Sequence, residues 1–308
     1  ATVGPYFLRF LELWPRVQDM AAAPLDDVLH AWAGLGYYAR ARNLHKCAIA
    51  VTEQSGGVFP DTVEGLLALP GIGPYTAAAV GAIAFNRPVM PLDGNIERVT
   101  ARLWSVETPL PDAKPELREL SQKLIARDRP GDMAQALMDL GATICTPKRP
   151  DCTKCPIAIA CEGAASGMAE KLPAKKAKKP KPTRQGVSFW LEDDRGRVLF
   201  RRQPEKGLLG GMMLLPGTVW AEGAVEKQSA KSAEPAPAAW RDLKGIVRHT
   251  FTHFHLELSL RAGRLAGPDP TAQDPDLVWC HPDDFAGLAL PTIAKKTCTH
   301  ALRGGDLI

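Results

Sequence analysis

Apolar residues recur at spacings of three and four through the first half of the chain, and at spacings of two through most of the remainder. Leu25-Asp26-Asp27-Val28-Leu29-His30-Ala31-Trp32 shows the first pattern, and residues 1 to roughly 165 read as helical throughout. Asp61 before Val63-Glu64-Gly65-Leu66-Leu67, and Asp132 before Met133-Ala134-Gln135-Ala136-Leu137-Met138, predict helix starts. An acidic side chain there can accept from the free N–H groups of a first turn. Beyond about residue 185 the period shortens. Val187-Ser188-Phe189-Trp190-Leu191 and Val198-Leu199-Phe200-Arg201 follow a period of two, and Phe254-His255-Leu256-Glu257-Leu258-Ser259-Leu260, another such stretch, reads as a half-buried strand. Residues 221–240, rich in Ala, Glu, Lys and Pro, predict a short helix and a variable loop. A mainly α domain followed by a smaller α+β domain is expected, and 308 residues suit two domains of ordinary size.

Composition changes this picture little. Apolar content of 45% with 23% charged residues is that of a globular protein, and no stretch of eighteen apolar residues predicts a membrane span. The opening Ala1-Thr2-Val3-Gly4-Pro5-Tyr6 is neither a basic nor an apolar leader. The net charge of +4 says less than its distribution. Lys171, Lys175, Lys176, Lys178, Lys179, Lys181 and Arg184 fall in a short acid-free run, without which the chain would be net negative. Such a Lys/Pro/Ala run over about 168–185 predicts an extended basic linker, either merely solvated or following a nucleic-acid backbone.

Candidate chemistry begins with Cys145, Cys152, Cys155 and Cys161, separated by six, two and five residues. Thiolates so clustered in a chain this long point to one cofactor rather than a disulfide framework. Zinc and an iron–sulfur cube both accept four thiolates, and spacing alone leaves both open. The scattered Cys47, Cys280 and Cys298 read as buried free thiols, and the set fits a reducing compartment, the cytoplasm. Leu69-Pro70-Gly71-Ile72-Gly73 forms a tight turn between helical patterns, and Thr76-Ala77-Ala78-Ala79-Val80-Gly81-Ala82 follows with small side chains. Free N–H groups at such a helix start suit a phosphate, although an ordinary helix–turn–helix corner has the same sequence logic.

With these two motifs together, the chain resembles the iron–sulfur, helix-hairpin-helix DNA glycosylase superfamily that includes endonuclease III. Three more stretches narrow the resemblance to the MutY adenine glycosylases. They are Gly34-Leu35-Gly36-Tyr37-Tyr38-Ala39-Arg40-Ala41-Arg42-Asn43-Leu44, Pro91-Leu92-Asp93-Gly94-Asn95 and His249-Thr250-Phe251-Thr252-His253-Phe254. The resemblance implies a helix-hairpin-helix glycosylase domain over 1–167, with a 4Fe–4S loop at 145–161. The basic linker at 168–185 and a Nudix-like domain over 186–308 complete it. It implies a monomer that excises adenine opposite 8-oxoguanine or guanine in double-stranded DNA, with no membrane partner.

Residue roles follow from the same resemblance. Asp93 matches the carboxylate that stabilises the cationic sugar as adenine leaves, and Asn95 a supporting position. From the residues alone, Asp-Gly-Asn before a helix reads equally well as a cap or turn. Tyr75 stands where bifunctional relatives carry a lysine that forms a Schiff base, so base excision without lysine-mediated strand cleavage is implied. Tyr37 matches the residue wedged into the base stack, with Arg40 and Arg42 near phosphates. Gly71 and Gly73 anchor a phosphate, while Lys148 and Arg149 sit on the DNA-contacting cysteine loop. Phe251-Thr252-His253 resembles the Phe-Ser-His loop that reads 8-oxoguanine, with Thr252 departing from it by a methyl group.

Two departures qualify the resemblance. The second domain lacks the glutamate-rich helix with which Nudix enzymes hold magnesium, and Gly223 stands at the first glutamate position, so it is expected to bind and not cut. The family's general-acid glutamate belongs to a helix upstream of Ala1, and Glu12, Glu53 and Glu64 do not match its motif. A lesion-binding chain without catalysis is the alternative, and a lyase like endonuclease III is a further one. His249, His253 and His255 on one strand face also admit zinc.

Overall fold

The computed structural model describes residues 3–177 and 180–304; Lys178 and Lys179 of the basic run lie outside the described residues. Contacts divide the chain into two compact units, one of residues 1–45 with 179–308, the other of 46–178. The first half carries helices α1 (Gly4–Leu13), α2 (Val17–Ala22), α3 (Leu25–Ala31) and α4 (Ala39–Ser55), and the unit boundary falls within α4.

The helical unit continues with α5 (Val63–Leu67), α6 (Pro74–Phe85), α7 (Gly94–Leu103), α8 (Lys114–Gln122), α9 (Pro130–Thr143) and the short α10 (Glu162–Ala165). Helix α7 packs against α8, α9 and α10. Ile96 and Val99 meet Leu137 and Leu140 of α9, while Ala101 joins Leu117 of α8. Gly141 permits the α7–α9 approach, since a Cβ there would stand 2.6 Å from that of Asn95. The chain is not helical throughout, because long turns separate the helices and the cysteine segment holds only single 3-10 turns. Two expected starts also move. Thr62 caps α5, accepting from Gly65 N at 3.1 Å, and Asp61 instead pairs with Arg87. Helix α9 opens at Pro130, whose missing N–H is harmless there, and Asp132 pairs with Arg129 in its first turn.

The basic run does not behave as a solvated linker over 168–176. Leu172 and Ala169 are buried, Leu110 N donates to Ala174 O at 2.8 Å, and Lys176 pairs with Asp112. Its few apolar residues find a core, so charge repulsion does not decide its course.

The sheet unit holds β1 (Thr183–Glu192), β2 (Val198–Arg202), β3 (Met213–Leu214), β4 (Ala221–Glu222), helix α11 (Lys227–Ser232), β5 (Arg241–Thr250), β6 (His255–Arg264), β7 (Leu277–Cys280) and helix α12 (Thr292–Leu302). Strand order is β3-β2-β1-β6-β5, with β4 also pairing β1 and β7 pairing β2. Strands β1 and β6 are parallel, in register from Thr183↔His255 to Glu192↔Arg264. Strand β1 is buried on both faces over Val187–Leu191, its alternating side chains entering two cores. Trp190 joins Phe200, Leu256, Leu258 and Leu260 in a core with Ile293 and Cys298 of α12. Val187 and Phe189 face the other way, toward Ala230 of α11.

Residues 1–45 belong to this same unit, so contacts do not separate along the expected 167/168 boundary. Leu29, Tyr38 and Ala41 pack with Met212 and Ala289, and Arg202 grips Asp26 through two bonds of 2.9 and 3.1 Å. No described helix is long and apolar enough to cross a membrane.

Candidate active site and nucleic-acid interface

One helix positions the central chemistry. Asp93 is the N-cap of α7, its Oδ1 accepting from the backbone N–H groups of Asn95 (2.9 Å) and Ile96 (2.7 Å). Its second oxygen accepts from Asn95 Nδ2 at 3.1 Å. Capping therefore fixes the carboxylate, as the cap reading of Asp-Gly-Asn expects. Arg98, one turn on, donates to Asn95 Oδ1 (2.9 Å), Gly94 O (3.0 Å) and Cys145 O (2.7 Å), and also to Gly141 O. Burial lowers its pKa, and the neighbouring Cys145 charge works against that. A cavity of about 630 Å³ is bounded by Asp93, Asn95 and Arg98 on one side and by Glu170, Lys171 and Lys175 on the other.

The Leu69–Gly73 turn feeds α6, with Gly71 at φ +75°, a left-handed backbone that glycine tolerates. Gly73 is the N-cap residue of α6, with open space beside it. Ala77, Ala78 and Ala82 are buried, so small side chains seat the helix closely. Tyr75 is half-exposed at its start, and burial followed by the charge of Asp93 pushes its phenol up. The hairpin tyrosine and the capping carboxylate thus share one electrostatic environment.

All four clustered cysteines line one cavity, walled by Val99, Leu140, Ile144 and Ile157. Among the described residues, no group of three or more His, Cys, Asp or Glu is arranged to hold a single metal ion. Arg102 is 1% exposed and touches the set at both ends. Its Nη1 donates to Cys145 Sγ (3.1 Å) and Thr146 O (2.8 Å), its Nε to Leu172 O (2.9 Å), and its carbonyl accepts from Cys161 Sγ (3.3 Å). A buried guanidinium donating to one of four sulfurs that line a single cavity fits a negatively charged group held by those cysteines. Lys148 and Arg149 are exposed on the same loop, and Arg149 has φ +50°. Cys47, Cys280 and Cys298 are free and buried, as expected.

The structure adds Arg98 and Arg102, which sequence reading passed over. Their signal was available, because they lie four residues apart on the buried side of a helix, where an arginine needs a partner.

In the sheet unit, Tyr37 is 63% exposed and adopts φ +49°. Arg40 lies over its ring at 4.8 Å, and its hydroxyl is 3.3 Å from Thr252 Oγ1. Two sites read separately from the sequence therefore meet across 215 residues. The loop carrying Thr252 and His253 is closed by Phe251 N donating to Phe254 O (2.9 Å), and Lys181 Nζ donates to Phe251 O (3.0 Å). Thr252 and His253 are exposed, while Phe251 stacks on Trp220 with ring centroids 5.8 Å apart. Arg42 departs from expectation. It is 7% exposed and donates to Gly210 O, so it braces a loop and does not face a phosphate. The histidines do not share a strand face either. His249 lies on β5, His255 on β6 and His253 in the turn between them.

The family model described as "HhH-GPD superfamily base excision DNA repair protein" matches residues 1–127, and that of the NUDIX domain matches 187–300. The adenine DNA glycosylase of Homo sapiens is 32% identical over 350 residues, an alignment covering 96% of this chain and 64% of that protein. The adenine DNA glycosylase of Mus musculus is 30% identical, with 96% and 67% covered. The chain belongs to the adenine DNA glycosylase family. It spans about two thirds of the length of these mammalian relatives. The adenine DNA glycosylase of Buchnera aphidicola (Acyrthosiphon pisum strain) is 36% identical, with 61% of this chain and 53% of that protein covered. Within the adenine glycosylase family, the two matched segments support the order of a helix-hairpin-helix part and a Nudix-like part.

Proposed function

We propose that this chain is a base-excision repair enzyme that hydrolyses the N-glycosidic bond of adenine mispaired with 8-oxoguanine or guanine in duplex DNA. The observation carrying this reading is Asp93, held by three hydrogen bonds at the start of α7 and sharing its surroundings with Tyr75. As the bond to adenine breaks, positive charge develops on the sugar, and a fixed carboxylate stabilises it without having to reorganise. Asn95 holds the carboxylate, and Arg98 holds Asn95. A phenol in the position of Tyr75 forms no imine, so the reaction stops at the abasic site.

Extruding adenine costs a few kcal/mol of unstacking, which an inserted ring partly offsets. Tyr37 suits that role because it is exposed and its strained backbone presents it outward, with Arg40 beside it for phosphate. The Tyr37–Thr252 contact supports a reading in which the wedge works beside the Phe251–His253 loop, the reader of the opposing oxidised guanine. Gly71, Gly73, Lys148 and Arg149 meet the phosphate backbone. Cys145, Cys152, Cys155 and Cys161 would hold a 4Fe–4S cluster, which when bound shapes the loop bearing Lys148 and Arg149. Residues 1–167 and 186–308 are the functional domains, and the protein acts as a monomer on DNA in the cytoplasm or nucleoid.

Single-turnover adenine release from an A·8-oxoguanine duplex, developed with alkali, tests the reading. The chain is compared with one extended at its N-terminus by the family's glutamate-bearing helix. Excision by either form, abolished by Asp93→Asn, supports the proposal. Tight lesion binding with no excision by both would favour a binding protein, and borohydride trapping of a DNA adduct would favour a lyase.

A further inference from the structure

The cavity of about 630 Å³ beside Asp93 has walls from two parts of the helical unit, the start of α7 and residues 170–175 of the basic run. Its volume falls within the usual range of ligand sites, about 300–1,000 Å³, enough for one nucleotide unit. The second wall is fixed through its backbone. Leu172 is buried, and its carbonyl accepts from Arg102 Nε at 2.9 Å. Ala169 N donates to Gly163 O at 2.9 Å and Leu110 N to Ala174 O at 2.8 Å, with Leu110 and Lys175 paired as a short parallel bridge. Lys176 is taken by Asp112 at 2.6 Å. Lys171 and Lys175 are not taken: both are exposed, and neither has an ion-pair partner among the described residues.

Without these two amines the cavity would repel a nucleic acid. Asp93, Glu97 and Glu170 supply three carboxylates to its lining, and Arg98 is the one other cation there. The guanidinium of Arg98 already donates to Asn95 Oδ1 and to the carbonyls of Gly94, Gly141 and Cys145. A phosphate entering that setting would meet net negative charge, at closer to full strength than in open water. Lys171 and Lys175 bring the lining to formal neutrality.

A nucleotide whose sugar rests against Asp93 carries a phosphodiester on each side of that sugar. We infer that Lys171 and Lys175 grip one of these two phosphates and so set the extruded sugar in position over Asp93. The inference rests on the reading of Asp93 as the carboxylate that meets that sugar. Phosphate contacts carry no sequence information and fix position instead, which is what a carboxylate that is itself immobile requires. Because the backbone of the wall is already ordered, only two side chains lose freedom on binding.

The test reads binding by fluorescence anisotropy, with the full chain and a duplex carrying a tetrahydrofuran abasic analogue opposite 8-oxoguanine. In two further duplexes a neutral methylphosphonate replaces the phosphate on the 5′ or the 3′ side of the analogue. One of the two replacements should weaken binding by the parent about fivefold, the upper end for an exposed ion pair. The Lys171→Gln/Lys175→Gln double variant should bind the unmodified duplex about fivefold more weakly than the parent, and then lose less than about twofold on the same replacement. Lys171→Arg/Lys175→Arg should restore the parent's response, and Lys227→Gln, an exposed lysine on α11, should keep it. An unchanged urea midpoint in the double variant excludes a folding defect. Equal losses in parent and double variant on both replacements would overturn the inference, as would a double variant binding like the parent or a parent that binds none of the duplexes. Single-turnover adenine release is measured separately. A parent showing the expected binding pattern but releasing no adenine would remove the catalytic reading of Asp93 and leave the lysine–phosphate contact standing.

Discussion

Replacing Arg102 with methionine tests whether α7 holds the cysteine loop through one buried cation. The substitution removes a donor from Leu172 O at 2.9 Å and another from Thr146 O at 2.8 Å, as well as the contact to Cys145 Sγ. Each hydrogen bond from a charged donor contributes about 1.5–3 kcal/mol, so the two short ones account for roughly 3–6 kcal/mol. Methionine also relieves the desolvation of a buried cation, which offsets part of that loss. A net destabilisation of about 3 kcal/mol remains, a large fraction of the 5–15 kcal/mol typical of a folded domain. Lysine is no substitute, because an ammonium cannot fork toward carbonyls and a sulfur at once. Anaerobic urea denaturation gives the stability change, and iron and sulfide content per chain reads retention of the proposed cluster. Both are expected to fall in Arg102→Met and in Arg102→Lys. A methionine variant unfolding within about 0.5 kcal/mol of the parent, with undiminished iron, would refute this account of the arginine.

Further outcomes follow from the same geometry. Asp93→Asn should leave stability nearly unchanged, because asparagine caps as well as aspartate, whereas Asp93→Ala should cost about 1 kcal/mol in urea unfolding. Both should lower adenine excision by about a hundredfold or more in single-turnover assays; excision by Asp93→Asn close to the parent rate would reduce Asp93 to a cap. Gly141→Ala should destabilise by about 1–3 kcal/mol and displace Asn95, read as a lower urea midpoint with an unchanged slope. Burial, and then Lys296, lowers the pKa of His249 from 6.5. Below that pH the unfolded chain takes up a proton that the folded chain resists, so stability should fall as pH drops from 6.5 through the folded value. His249→Gln should flatten that part of the pH–stability curve, and an unchanged slope would remove His249 from the account.

Much of the fold could be read from periodicity. The helical spacing at Leu25–Trp32 became α3, and the alternation at Val187–Leu191 became a strand buried on both faces. Helix boundaries were less legible. Thr62 and Pro130 took the terminal positions expected of Asp61 and Asp132, which pair instead with the arginines at 87 and 129. Charge misled in two places. The lysine-rich run hides Leu172, whose burial decides its path, and Arg42 looks like a surface cation but braces Gly210. The unit boundaries depended on contacts such as Leu29 with Met212, which no local pattern reveals. The Tyr37–Thr252 contact was unreadable for the same reason.

The division of the chain at 45/46 and 178/179 also orders events during synthesis. Residues 46–178 are contiguous and can complete their core soon after emerging from the ribosome, at about 5–20 residues per second. The leading segment cannot, because Leu29, Tyr38 and Ala41 pair with Met212 and Ala289, made much later. Closing so long a connection adds little entropy cost at equilibrium, since that cost grows only logarithmically with length. Its price is time. A nascent chain keeps the apolar side of α3 uncovered until most of the sheet unit has been translated, an interval in which chaperones have the most to protect.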